Sequence, residues 1–207
     1  MTTAGAGALH PRAGTRMIVC GPFDGKAKVF DSIKRLWALI ILIVPAASGA
    51  RAQGDELGRL SVTCRNEAGG PTPQQRVAAC SAILVNYPME PPQEAMIRVN
   101  RAWSYSLEKR MADAEIDYNR AIQLDPNSYV LYNERGLFRL QTGAFDAALR
   151  DYNSAVVLSP QAAYPLYGRG IVRIRMGDVA RGQDDLAAAR MLDRNVDAVF
   201  RVIGVTP

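Results

Sequence analysis

Side chains able to do chemistry are sparse in this sequence, and their spacing excludes more than it suggests. The single histidine, His10, stands near the N-terminus, so the rest of the chain can build neither a triad with a histidine base nor a histidine metal site. Asp184 and Asp185 are adjacent. On a helix their side chains would point about 100° apart and could not work as a paired acid and base. No Gly-rich phosphate loop, G-x-S-x-G elbow or EF-hand pattern occurs, so no catalytic residue, cofactor site or metal site is expected. Cys20 lies early, which leaves Cys64 and Cys80 as an even pair. A bridge between them would close a loop of about 16 residues, worth about 3 kcal/mol if unstrained; two separate buried thiols are the alternative. Without a C-x-x-C, neither redox chemistry nor a zinc ribbon has support.

Charge narrows the partner class. The 207 residues carry a net +5, but residues 1–52 hold seven Lys or Arg against Asp24 and Asp31 and supply all of it. The other 155 residues balance 18 basic against 18 acidic side chains. A nucleic-acid partner is therefore not expected, because phosphate binding needs an uncompensated basic patch. Lys34 and Arg35 precede the apolar run Leu36–Val44, and Ala50-Arg51-Ala52 closes the small-residue stretch after Pro45. These are the three parts of a secretory signal, with cleavage expected after Ala52 and a periplasmic or secreted product. The competing reading is a membrane anchor that is never cleaved, although the uncharged stretch would reach only about 22 Å as a helix against the ~30 Å of a bilayer core. The leader is long for a signal, and a start at Met17 or Val29 would shorten it. An even cysteine pair agrees with an oxidising compartment.

Whatever these residues do, helices in a repeating array must position them. Asp117-Tyr118-Asn119-Arg120-Ala121 aligns with Asp151-Tyr152-Asn153-Ser154-Ala155 at an offset of 34, and Asp185-Leu186-Ala187-Ala188-Ala189 follows at the same offset. Arg101-Ala102, Arg135-Gly136 and Arg169-Gly170 keep the period upstream, with Gly143 and Gly177 at the turns. Within the second unit Tyr132, Gly136 and Arg139 share one helical face, and Ala148, Tyr152 and Ala155 another. Pro126 and Pro160 end each helix pair. Small residues at these places let two helix backbones approach closely.

This pattern resembles the tetratricopeptide repeat family, of an exported bacterial type, over about residues 95–194. The family's small residue in the first helix matches Ala102, Gly136 and Gly170. Its second-helix alanine matches Ala114 and Ala148 but becomes Gly182, and its aromatic matches Tyr118 and Tyr152 but becomes Leu186. The resemblance implies an all-α fold, a short right-handed α-solenoid of about three helix-turn-helix units (95–128, 129–162 and 163–194). A leader (1–52) precedes it, then an N-terminal segment (53–93) whose helix caps the stack and is pinned to preceding coil by the disulfide. Residues 195–207, with Val196, Val199, Phe200 and Ile203 on one stripe, form a C-terminal capping helix, or else an exposed helix that binds a partner.

The resemblance also implies a function. Such arrays bind a peptide or protein segment along the concave face of their first helices. Here that face takes Val99, Asn100 and Trp103 from the first unit, Asn133, Glu134 and Leu137 from the second, and Tyr164, Tyr167 and Ile171 from the third. Trp103 is the candidate anchor, since Trp is enriched among interface hot spots, with packing between repeats as its other role. Asn100, Asn133 and Glu134 could hydrogen-bond an extended ligand, although polar residues on helices are more often simply solvated. The recurring Arg101, Arg135 and Arg169 with Asp117, Asp151 and Asp185 suit ion pairs between repeats, Asp117 to Arg135 and Asp151 to Arg169. The expected activity is a non-catalytic scaffold or adaptor in the cell envelope with a protein partner. The alternative is a structural envelope protein that forms a homo-oligomer through its terminal helices, with Val199 and Phe200 in contact; an enzyme is the least supported reading.

Overall fold

The structure, a computed structural model, describes residues 47–65 and 70–207, with side chains from residue 53 onward. The basic and apolar parts of the expected signal, and both alternative starts, lie outside the described residues. Among the described residues the chain is all-α, with helices α1 (Ala47–Cys64), α2 (Pro73–Asn86), α3 (Pro91–Leu107), α4 (Met111–Leu124), α5 (Tyr129–Gln141), α6 (Phe145–Leu158), α7 (Ala163–Arg175), α8 (Val179–Leu192) and α9 (Val196–Val202). No helix there is long and apolar enough to cross a membrane.

The starts of α2 and α3 have local causes. Thr72 caps α2 by accepting from the Gln75 amide while the Gln75 side chain accepts from the Thr72 amide, with Pro73 at the first helical position. Pro91 opens α3, and Gln93 accepts from the Glu90 amide. As a result α3 begins ahead of the expected repeat frame and runs 17 residues, against 13 in α5 and in α7. The hairpin turns need one left-handed residue, supplied by Gly143 (φ 79°) and Gly177 (φ 91°). Lys109, 34 residues before Gly143, fills the same place in the first unit at φ 63°.

One expectation is corrected at the N-terminal end. The segment before α2 is the helix α1 rather than coil, so α1 and α2 form a further antiparallel hairpin. The disulfide joins the last residue of α1, Cys64, to Cys80 in the middle of α2, with Cα atoms 4.9 Å apart. Around it Ala79 and Ile83 are buried, with Leu57, Leu60, Met89 and Ile97 packed against them. The buried Arg76 donates from Nε to Ser104 Oγ at 3.2 Å and ties this hairpin to α3.

Packing within and between hairpins explains the small residues. The Tyr118 ring lies 5.2 Å from that of Phe138 in the next unit. A Cβ at Gly136 would sit 3.1 Å from the Tyr152 ring, and one at Gly168 only 2.3 Å from it. The third hairpin closes most tightly. There a Cβ at Gly170 would fall 2.8 Å from the Gly182 carbonyl oxygen, and one at Gly182 2.6 Å from Ile174 Cγ1. Gly182, which departs from the repeat pattern, is thus required where α7 and α8 cross.

Candidate peptide-binding face

The first helices are held against the second helices by a charge network that recurs with the repeat. Arg135 donates from Nε and Nη2 to the two oxygens of Asp151 at 3.0 and 2.7 Å, and Arg139 adds a third contact at 2.9 Å. In the third unit Arg169 grips Asp185 with two bonds of 2.8 Å and Arg173 joins at 2.7 Å. In the first, Arg101 and Arg98 hold Asp117. The expected pairs Asp117 to Arg135 and Asp151 to Arg169 are therefore corrected. Each aspartate pairs with the arginine 16 residues before it, across the interior of its own hairpin. What crosses the boundary between units is the guanidinium's remaining donor, from Arg135 to Asn119 at 2.7 Å and from Arg169 to Asn153 at 3.3 Å. Arg139 also bonds Glu115 of the preceding unit. A planar fork with donors to spare can lock one hairpin and hold the next.

This scaffold sets α3, α5 and α7 side by side, with each touching the next. The 34-residue offset then sorts their inner side chains into three rows: Val99, Asn133 and Tyr167; Asn100, Glu134 and Gly168; Trp103, Leu137 and Ile171. By register the expected residues fall on the same side of α3, α5 and α7, and the structure leaves them unequally free. Val99, Tyr167 and Ile171 are buried. Trp103 is 8% exposed and shares a core with Leu137, so packing between repeats is its main role, although it also lines a pocket of about 430 Å³. Phe138, which the sequence reading passed over, lines that pocket too, as do Leu107 and Met111, with Val202 and Ile203 opposite.

The third unit's share of the wall is taken by the chain's own C-terminal segment. Phe200, 3% exposed, packs its ring 4.6 Å from Tyr167 and 6.4 Å from Tyr164. Tyr167 donates to Asp197 at 2.5 Å and Tyr164 to Asp193 at 3.1 Å. Burial, reinforced by these carboxylates, pushes both phenols up to about 12. Arg190 donates twice to Asp197 and, with the Tyr167 hydroxyl, holds that carboxyl down at about 2. Beyond α9 the Ile203 carbonyl accepts from Gln141 and the Thr206 carbonyl from Arg175. The segment packs against α7 and α8 of the last repeat. It also engages Tyr164 and Tyr167, and with Phe200 buried that side chain is not available as a contact between copies.

The first two units carry the unspent hydrogen-bonding capacity. Asn100 and Glu134 are each only 6% exposed, so the solvated reading of both is corrected; Asn133 is half-buried. Asn100 Oδ1, Asn133 Oδ1, Trp103 Nε1 and the hydroxyls of Tyr118 and Tyr152 are buried with no hydrogen-bond partner in the protein. Asn133 donates to Glu134 Oε1 at 3.3 Å. Burial pushes the Glu134 carboxyl up to about 7, against the weaker opposing effect of that amide. Burial raises Tyr118 and Tyr152 as well, and the Glu134 charge adds to the shift of both. Among the described residues no group of three His, Cys, Asp or Glu could hold a metal ion.

No protein-family model matches the chain, and no curated protein matches its sequence. In structure it is similar to PilF of Pseudomonas aeruginosa, at 17% identity and a TM-score of 0.53 over 73% of this chain and 67% of that one. It is also similar to MamA, at 15% identity and a TM-score of 0.50 over 79% of this chain and 87% of that one. A structure of MamA from AMB-1 gives 11% identity and a TM-score of 0.51 over 73% and 80%. At these identities the likeness speaks to fold. Those neighbours contain tetratricopeptide repeats, and the fold of this chain is the all-α solenoid of that repeat class.

Proposed function

We propose that the protein is a non-catalytic scaffold or adaptor of the cell envelope that holds a peptide or protein segment of its partner against the inner wall. The proposed wall residues are Val99, Asn100, Trp103, Asn133, Glu134, Leu137, Tyr164, Tyr167 and Ile171. The part open to a partner is that of α3 and α5, since α9 occupies the part on α7. One observation carries the reading: buried polar atoms of Asn100, Trp103 and Asn133 on α3 and α5 have no partner in the protein, and Trp103 also lines a pocket. Extended peptides carry backbone donors and acceptors that would satisfy such atoms. An envelope location, periplasmic or secreted, is supported by the disulfide between α1 and α2 and by the signal-like leader.

A photo-crosslinking side chain placed at Leu107, an exposed position lining the pocket, tests this against the same group at Arg120, exposed on α4. In the native envelope the first position is expected to capture a protein that the second does not. Equal capture from both, or capture from position 120 alone, would remove the wall as the binding surface.

A further inference from the structure

Four carboxylates are buried among the described residues: Asp117, Glu134, Asp151 and Asp185. Three of them are each held by two arginines, Asp117 by Arg98 and Arg101, Asp151 by Arg135 and Arg139, and Asp185 by Arg169 and Arg173. Glu134 alone has no cation and receives only the Asn133 amide. It is also the only one of the four that stands on the inner wall. A desolvated carboxylate without a counter-charge is destabilising, and a fold that pairs every comparable group leaves this one to be satisfied from outside.

The atoms nearest in register say what would satisfy it. Asn100 stands 34 residues before Glu134 in the same row, and Asn133 is its neighbour; their Oδ1 atoms are both unpartnered acceptors. Trp103, one turn along α3 from Asn100, offers an aromatic face. The third member of the row is Gly168, where the Tyr152 ring leaves no room for a side chain, so the charge is confined to the second unit. Carbonyl acceptors, a carboxylate and an indole complement a donor that carries positive charge. An acidic side chain would be repelled, and a neutral backbone amide would satisfy the asparagines but leave the carboxylate uncompensated.

We infer that the inner wall selects a partner segment bearing a lysine or arginine, whose cationic head meets Glu134 and donates to the side-chain carbonyls of Asn100 and Asn133. This rests on the wall being a peptide site, and it names what that site reads.

The test is a selection of random heptapeptides on the full chain at pH 7.5, run in parallel on wild type and Glu134→Gln. Wild type is expected to enrich Lys or Arg at one position, and Glu134→Gln to lose that enrichment while keeping the apolar preference. Replacing the basic residue of a selected peptide by norleucine is then expected to weaken binding to wild type roughly tenfold and to leave binding to the variant unchanged. A second arm needs no variant. The same peptide is expected to bind wild type less tightly at pH 5.5, where Glu134 is protonated and burial keeps Tyr118 and Tyr152 neutral at both pH values. Peptides selected without a basic residue, basic enrichment that survives in Glu134→Gln, or binding indifferent to pH would overturn the cation and leave the peptide site standing. If no peptide is selected by either protein, the peptide site itself falls and the cation with it.

Discussion

The Phe200 ring rests 4.6 Å from the Tyr167 ring, so the end of the chain is seated on the wall that the third repeat would otherwise present. Asp197 fixes the same contact from the polar side by accepting from Tyr167 and from Arg190. The third unit's share of the proposed wall is in consequence covered by the chain itself.

Removing that seat should show in both stability and exposure. Phe200→Ala is expected to cost about 3 kcal/mol, the low end for a buried phenylalanine because a short helix can collapse into the space. Tyr167 should become reactive toward a phenol-nitrating reagent, read by mass spectrometry. An unchanged melt with Tyr167 still protected would mean that the segment contributes nothing to holding the wall.

Asp151 lies at the centre of the stack. It accepts from Arg135 and Arg139, which also reach Asn119 and Glu115 of the preceding unit. Asp151→Ala therefore leaves the partly buried Arg135 guanidinium without an anion and Arg139 with only Glu115, and is expected to lower unfolding free energy by about 3 kcal/mol in a denaturant titration. Asp113→Ala removes the exposed partner of Arg110 and should change stability by less than about 1 kcal/mol. Equal effects for the two would contradict the burial of the network.

Lys109 adopts the left-handed conformation that Gly143 and Gly177 adopt in the other units. A side chain there crowds its own backbone, so Lys109→Gly is expected to stabilise by about 1 kcal/mol despite the extra freedom glycine gives the unfolded chain. A lower melting temperature would show that the lysine side chain holds the turn in another way.

Glu134 should make stability fall as pH rises. Its carboxyl titrates near 7 in the folded chain and near 4.5 when unfolded. Below 4.5 both states are protonated and nothing is lost. Between 4.5 and 7 the unfolded chain gives up its proton more readily, and roughly 3 kcal/mol of stability goes with it, after which the loss is constant. Asp197 acts the other way and at lower pH, since its carboxyl is held down at about 2 and its contribution is lost only in acid. The difference between wild type and Glu134→Gln isolates the first effect. A difference that does not grow between pH 5 and 7 would mean that the carboxyl is solvated.

The repeat and its helices were legible because their causes are local. An apolar stripe at helical spacing, a glycine at a left-handed turn and a proline after a helix act within a few residues of chain, and a 34-residue period repeats them, the glycine and the proline in two units each. The cysteine spacing likewise suggested the bridge between Cys64 and Cys80. Where the local signal was weak, the reading failed. The segment before α2 reads as coil and is the helix α1, and Lys109 carries no turn signal of its own.

What the tertiary structure decided are the matters in which residues far apart in the chain compete for the same partner or the same space. Spacing alone allowed Asp151 to reach Arg135 or Arg169, and only the facing of two helices within a hairpin selects Arg135. Nothing local to Glu134 records its burial, and the two tyrosines whose phenols its charge pushes up, Tyr118 and Tyr152, come from different units. Nor does the stripe through Phe200 say which surface it will cover. Period and pattern determine that helices pair and stack, whereas desolvation, ion pairing and the closing of the wall depend on what the stack brings within a few ångströms.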